Sequence, residues 1–307
     1  MIVADDGSDD NETQEIGRKA DTLVTLPAPP RGPARARNEG SGAARGSILA
    51  FVDADVLVHR DGLSRILDSF RDPSVIAVFG SYDDDPEDKG IVSRYRNLLH
   101  HWVHQRSAGD VESFWAGCGA IRADAFRSVG MFDAERYRRP EMEDVELGYR
   151  LRDAGHRIVL DPKILCKHLK AWSLGDMVRS DFTRRGLPWT RLLVERGMLF
   201  APKGLSIGSG ERASAGFAML FVITALTAAA TGSFLLAAAT VFSTLGFFAS
   251  NRRFFAWLSS RYGSGCAAAA IPLHLLYNLV AVAALLWGGV TSALSYPRAP
   301  KRYTRPR

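Results

Sequence analysis

At 307 residues, 47% of them apolar, the chain is long enough for one large domain or two smaller ones. Its formal charge of +6 suggests a nucleic acid or an anionic membrane face as partner, but no basic stripe interleaved with aromatics appears, so a membrane and no nucleic acid is expected. Cys118, Cys166 and Cys266 are odd in number, widely spaced and without a CxxC, which excludes a disulfide framework and a structural zinc site and fits a reducing compartment.

In chain order, the first 80 residues alternate short β-rich runs with helical stretches. Ile2–Ala4, Thr22–Leu26, Ile48–Val52 and Val75–Gly80 are predicted strands, being short, β-branched or aromatic and closed by turn residues. Glu12–Ala20, Ala34–Gly46 and Gly62–Phe70 are predicted helices between them. Such alternation predicts an α/β fold, a mainly parallel sheet with helices on its faces, in which ligands bind beyond the carboxyl ends of the strands. Asp5 and Asp6 follow the first strand there, and Asp53 and Asp55 follow the third. In extended chain, residues i and i+2 point the same way, so Asp53 and Asp55 are expected to present two carboxylates together. That pair suits Mg2+ or Mn2+, hard ions that keep positions open for phosphate oxygens; an isolated DxD more often just ends a strand in a turn.

The acidic run YDDDPEDKG (Tyr82–Gly90) is expected to be a solvated loop. Further on, EMEDVELGYRL opens a helix whose acids crowd the first turn, where the helix dipole favours negative charge. Glu146 is spaced to pair with Arg150, and Gly155 is the stop signal. Alone this is an ordinary amphipathic helix. A carboxylate held at such a terminus is also suited to act as a general base toward a hydroxyl.

Beyond about Arg212 the composition changes. Residues 215–250 carry no charged side chain, too long a run for one helix, since a span needs about 20 residues. Thr231-Gly232-Ser233 supplies a turn, which predicts a hairpin of two helices; the uncharged run Cys266 to Tyr296 predicts a third span. NRRFFAWLSSRYG between them, residues 251–263, is expected to lie in the membrane interface. The expected organisation is thus a catalytic domain over 1–200, a linker over 201–214, a membrane domain over 215–296 and a basic tail over 297–307. The positive-inside rule puts Arg252 and Arg253 in the cytoplasm. Three spans would then send Lys301, Arg302, Arg305 and Arg307 outside, against the same rule. With no signal-peptide pattern, the soluble half is expected at the cytoplasmic face of the inner (plasma) membrane.

VADDGSDDN, GPARARNEGSGAARG, ILAFVDADV, FWAGCGAIRADAFRSVGMFD and EMEDVELGYRLRDAG, in this order and spacing over most of residues 2–170, resemble a family-2 glycosyltransferase of the GT-A fold. The resemblance implies a nucleotide-diphospho-sugar donor, a divalent ion and inversion at the anomeric carbon. By it, Asp5 and Asp6 would contact the nucleotide base or ribose, and Arg37 and Asn38 would lie near the ribose or diphosphate. Asp55 would bind the ion, with Asp53 supporting it or touching the ribose, and His168 falls where some such enzymes place a further metal ligand. Gly117, Cys118 and Gly119 would form a close-approach loop at the donor sugar, with Trp115 as a stacking surface. Asp144, in the Glu143-Asp144 pair, would deprotonate the acceptor. FTRRGLPW resembles the loop that some membrane synthases close over the diphosphate, with Pro188 where that motif has arginine. Relatives usually begin with a further strand and helix, so this chain is expected to lack that unit. The membrane anchor makes a lipid-linked acceptor, or a saccharide carried on one, attractive, and three spans suggest transfer of a single sugar. Two other readings are a non-catalytic membrane scaffold derived from a transferase, and a nucleotidyltransferase, which no Gly-rich, Lys-bearing phosphate loop supports.

Overall fold

The computed structural model describes residues 1–8, 15, 17–199 and 208–295. Much of the expected helix Glu12–Ala20, the stretch 201–207 of the expected linker and the basic tail therefore lie outside the described residues. The described residues divide into two compact units, Met1–Asp83 with His104–Leu169, and Asp84–Val103 with the described residues of 170–295.

In the first unit, β1 (Ile2–Asp5) and β2 (Thr22–Thr25) pair in parallel, Ile2 opposite Thr22 and Asp5 opposite Thr25. Helix α1 (Pro33–Ala43) follows. A second, six-stranded sheet contains β3 (Ile48–Val52), β4 (Val56–Val58), β5 (Val75–Tyr82), β6 (Gly109–Val111), β7 (Cys118–Arg122) and β8 (Arg157–His168). Its path runs β3-β7-β5-β8-β4, with β6 also on β8. The sheet is mixed, with helices, as a GT-A domain requires, but it is less parallel than the early alternation suggests. Only β5 and β8 pair in parallel in it; β7 enters antiparallel between β3 and β5, and β4 and β6 also run antiparallel to β8. β7 and β8 come after the alternating first 80 residues, so the early pattern carried no signal of them.

The remaining helices of this unit are α2 (Gly62–Ser69), α4 (Ala123–Ser128) and α5 (Glu143–Asp153). Val56, Ile66, Phe70, Val78, Ala120 and Ile164 form part of one core cluster. Elsewhere Phe51, Phe126 and Phe132 make an aromatic trio with centroids 5.3–5.5 Å apart. Helix α5 ends at Gly155, whose φ of 81° is the left-handed value that favours glycine. Its Gly148 lies against the backbone of Ser113 and Phe114, where an added Cβ would stand 2.7 Å from the Ser113 carbonyl carbon. That close approach brings the start of α5 to the loop before β7.

In the second unit, α8 (Ser209–Thr231), α9 (Phe234–Tyr262) and α10 (Ser264–Ser295) are three helices long and apolar enough to cross a membrane. Gly232, at φ 64°, turns the chain between α8 and α9, and the Ser233 hydroxyl caps α9. Residues 251–262 do not form a separate helix; α9 runs through them to Tyr262. The physical reason is that its apolar stripe finds protein partners: Phe254 and Trp257 pack on Trp102 of α3 (Ile91–Arg106), with centroids 5.8 and 5.2 Å apart. FTRRGLPW is likewise helical, forming parts of a π-helical turn (Ser180–Gly186) and of α7 (Leu187–Glu195), continuous with α6 (Leu174–Arg179). There Arg185 meets the His100 ring at 2.7 Å and Gly186 lies against Ala284.

Replacing Gly148 by alanine should push α5 off the Ser113–Phe114 backbone. Overpacking of this kind costs about 1–3 kcal/mol, so a lowered unfolding midpoint is expected, and an unchanged midpoint would show that the contact is slack.

Candidate active site

The turn after β3 departs from the extended geometry expected for Asp53-Ala54-Asp55. The Val56 N–H donates back to the Asp53 carbonyl at 3.0 Å, closing a turn, and the two carboxylates go to different partners. Asp53 Oδ1 accepts from Arg37 Nη2 at 2.6 Å; Asp55 Oδ2 lies 3.5 Å from His168 Nε2. The backbone around them is tied down as well. The Asp53 N–H donates to the Gly117 carbonyl, and the Leu169 N–H to the Asp55 carbonyl. His168, at the end of β8, is buried and stacks on Tyr82 with centroids 4.5 Å apart, while Tyr82 meets the Trp115 ring edge-on at 4.9 Å.

Arg37 is the hub. Its Nη1 donates to Glu143 Oε1 at 2.9 Å while Nη2 holds Asp53, and the guanidinium lies over the Phe132 ring at 5.5 Å. Burial works to lower the Arg37 pKa, and the charges of Asp53, Glu143 and Asp144 more than reverse it, so the group stays protonated. Glu143 is buried, with its other oxygen accepting from the Glu141 N–H at 2.9 Å. Its carboxylate is therefore engaged on both oxygens inside the protein.

Asp144 follows in the first turn of α5. One of its oxygens accepts from the Ala116 N–H at 3.2 Å. Burial is the largest push on its carboxyl and the Glu143 charge adds to it, while Arg37 and the Ala116 N–H pull the other way. The net pKa is raised to about 7. Glu146 pairs with Arg150 at 2.7 Å, as its spacing predicts.

Other expected site residues sit differently. Asn38 is spent on structure: its Nδ2 donates to the Phe132 carbonyl at 2.8 Å and its Oδ1 accepts from the Phe132 N–H at 3.0 Å, because a side-chain amide matches a backbone peptide group. Cys118 and Gly119 do not form a loop. They open β7, where Cys118 lies opposite Val52, fully buried, and Gly119 lies opposite Phe51. Gly117 is in the preceding turn, where a Cβ would stand 2.5 Å from the Trp115 ring. Asp5 is buried and accepts from the Ser8 N–H. Asp6 accepts from the Arg31 and Gly32 N–H groups through Oδ2, at 2.8 and 2.5 Å, which ties the turn before α1 to β1. Its Oδ1 is buried and has no partner among the described residues, an acceptor suited to a donor's base or ribose. The acidic run is only partly solvated, since Asp83 is buried against His59 at 3.0 Å. Sequence reasoning missed Tyr82 and the hub role of Arg37; a tyrosine closing a buried strand opposite a histidine-bearing one carries no local signal.

Among the described residues no three His, Cys, Asp or Glu side chains gather as a metal-binding group. Two side chains of ligand type do lie together, Asp55 and His168. For an octahedral ion with ligands at about 2.1 Å, adjacent ligand atoms stand about 3 Å apart, close to the spacing seen here. One carboxylate and one imidazole, with substrate phosphates and water completing the shell, is a donor set that Mg2+ or Mn2+ accepts.

Residues 1–132 match the sequence model of glycosyl transferase family 2. Over these residues the chain carries that family's sequence pattern. Two similar proteins are a pre-mycofactocin glycosyltransferase of Mycobacterium tuberculosis, 31% identical over 68% of this chain and 48% of its own length, and a poly-beta-1,6-N-acetyl-D-glucosamine synthase of Staphylococcus aureus, 25% identical over 58% of this chain and 44% of its own. The chain thus spans about half the length of the curated relatives it matches. Among solved structures, GalNAc-T7 with UDP, GalNAc and Mn2+ superposes at a TM-score of 0.45 and 14% identity, covering 85% of this chain and 51% of that one. A mycobacterial protein superposes at 0.42 and 18% identity, covering 63% and 62%. Likenesses this distant bear on no functional point.

Asn38→Ala in this family-2 domain removes both partners of the Phe132 peptide groups. A cost on the order of 2 kcal/mol is expected, read as a lower midpoint in denaturant; a midpoint within error of the parent would mean water replaces the amide at no cost.

Proposed function

We propose that the chain is a membrane-anchored, inverting glycosyltransferase. It moves a sugar from a nucleotide-diphosphate donor to a hydroxyl or phosphate of a lipid-linked acceptor, at the cytoplasmic face of the inner membrane. The observation that carries this reading is Asp144: a carboxylate at a helix N-terminus, half-buried, with a pKa raised to about 7. A base is most effective when its pKa lies near the working pH, which suits this group to a hydroxyl acceptor; a phosphate oxygen already ionised needs no base. The names of the relatives support sugar transfer.

In this mechanism the acceptor hydroxyl lies against Asp144, which takes its proton as the oxygen forms a bond to the anomeric carbon. The bond from that carbon to the diphosphate breaks on the opposite face, the electron pair leaves with the nucleoside diphosphate, and the single displacement inverts the centre. Asp55 and His168 would hold the divalent ion, which, when bound, neutralises charge on the departing diphosphate. The unpartnered Asp6 oxygen would take a hydroxyl or N–H of the nucleoside. The three apolar helices support an anchor beside a lipid-linked substrate.

The pH dependence has a definite sign. Asp144 must be ionised to act, so kcat/KM should fall about tenfold per pH unit below about pH 6, on a limb centred near pH 7. Asp144→Asn should abolish transfer while nucleotide binding persists; unchanged turnover would remove Asp144 from its role. Because the folded state raises this pKa from 3.8, the protonated form is the stabilising one, and that stability is lost as pH rises from about 4 through about 7. Asp144→Asn should therefore raise the melting temperature at pH 8 and leave it nearly unchanged at pH 4.

Metal-dependent binding of UDP- or GDP-sugars should disappear in Asp55→Ala and weaken in His168→Ala. Binding indifferent to Mn2+ in the parent chain would refute the assignment of both ligands.

A further inference from the structure

Among the residues around Asp144, the resemblance puts Arg37 at the donor's ribose or diphosphate. Its surroundings in the folded chain argue for a different task. Both terminal nitrogens are engaged, one with Asp53 at 2.6 Å and one with Glu143 at 2.9 Å. The side chain is 14% exposed and its face lies on Phe132. Phe132 is in turn held by both ends of the Asn38 amide, one residue along α1. Asp53, Glu143 and Asp144 all act on this one guanidinium, so the local charge around it is net negative. A diphosphate would gain little from approaching a cation whose field its own carboxylates already cancel.

The two anchored carboxylates lie on different pieces of the fold. Asp53 begins the turn that ends with Asp55, and its own N–H is tied to Gly117. Glu143 is the residue before Asp144 in the first turn of α5, and its second oxygen is tied to the Glu141 N–H. A planar guanidinium reaches two carboxylates at a fixed separation and angle, which an ammonium on a flexible stem does not.

We infer that Arg37 and Glu143 form a positioning pair, with neither contacting the donor: through Asp53 on one side and Glu143 on the other, the guanidinium sets the placement of the Asp55 turn relative to the α5 terminus that carries Asp144. The inference rests on the transferase reading. It assigns Asp53 to this clamp and leaves the ion to Asp55 and His168.

The test is a double-mutant cycle on the full-length chain in detergent, with Arg37→Met, Glu143→Gln and their combination, plus Arg37→Lys. Turnover is followed by release of nucleoside diphosphate from a panel of UDP- and GDP-sugars, and affinity by binding of UDP and GDP with Mn2+. Each single change should lower kcat roughly 10- to 100-fold, the scale of a small misplacement of reacting groups, with the nucleotide Kd within about threefold of the parent. The double variant should be no worse than the poorer single, and Arg37→Lys should restore less than a tenth of the lost rate. Glu143→Gln keeps an acceptor for the guanidinium; should Arg37→Met fail to fold, lowered kcat with unchanged Kd in Glu143→Gln carries the inference alone. A tenfold or greater loss of nucleotide affinity in Arg37→Met, with Glu143→Gln behaving as the parent, would make Arg37 a donor ligand and overturn it. Nucleotide binding by the parent chain with no release of nucleoside diphosphate from any sugar donor of the panel would overturn the transferase reading separately, leaving the nucleotide affinities to judge Arg37. A parent chain that binds neither nucleotide overturns both.

Discussion

The site depends on one cation in a crowd of anions. Asp53, Glu143 and Asp144 come together from the end of a strand and the start of a helix, and the Arg37 guanidinium offsets their charge. Removing water from a carboxylate costs several kcal/mol unless a partner and hydrogen bonds replace it. Glu143 meets that condition through Arg37 and the Glu141 N–H. The placement of Arg37 follows from the start of α1. Gly32, at φ 95°, leaves no room for a Cβ beside the Arg138 backbone; Pro33 presets the first helical turn; and Asp6 holds the N–H groups of Arg31 and Gly32.

The same crowding leaves Asp144 with the proton affinity that a base needs. It lies beyond the direct reach of the guanidinium's two ion pairs, accepts backbone N–H groups from Ala116 and Val145, and bears the repulsion of Glu143. The fold pays for this: an ionised Asp144 is a liability to stability near neutral pH, of the kind active sites carry because function requires it. Gly148 contributes one turn further along α5, letting the helix approach the loop that carries Ala116.

The second unit solves a different problem. Its three long helices are mostly apolar, so their apolar faces alone specify packing poorly. A chain of hydrogen bonds supplies direction: Tyr95 Oη to His274 Nδ1 at 2.9 Å, His274 Nε2 to Asn251 Oδ1 at 2.8 Å, and Asn251 Nδ2 to Ser214 Oγ at 2.7 Å. The Arg96–Asp181 pair, 2.5 Å apart and buried, adds a charged contact, with Arg96 also lying over Trp172 and Tyr277. Glycines complete the fit, as where Gly246 leaves space for the Phe217 ring.

Local chemistry was legible along the chain. The strand Ile48–Val52, the left-handed turn at Gly232, the Glu146–Arg150 pair and the stop at Gly155 each depend on residues within a few positions of one another, and their side chains encode them directly. The family motifs were legible too, since they persist as short words in order. What the tertiary structure decided involves partners far apart in sequence. β7 inserts between β3 and β5; Arg37 turns to Glu143, 106 positions away; Asn38 closes on Phe132, 94 away. The helical course of residues 251–262 belongs here as well, because Phe254 and Trp257 pack on Trp102, far earlier in the chain. Periodicity and propensity reach only a few residues along the chain. Which charge meets which, and which amide closes on which peptide group, is settled by the cost of burying them unpaired, a cost that exists only once the elements have packed.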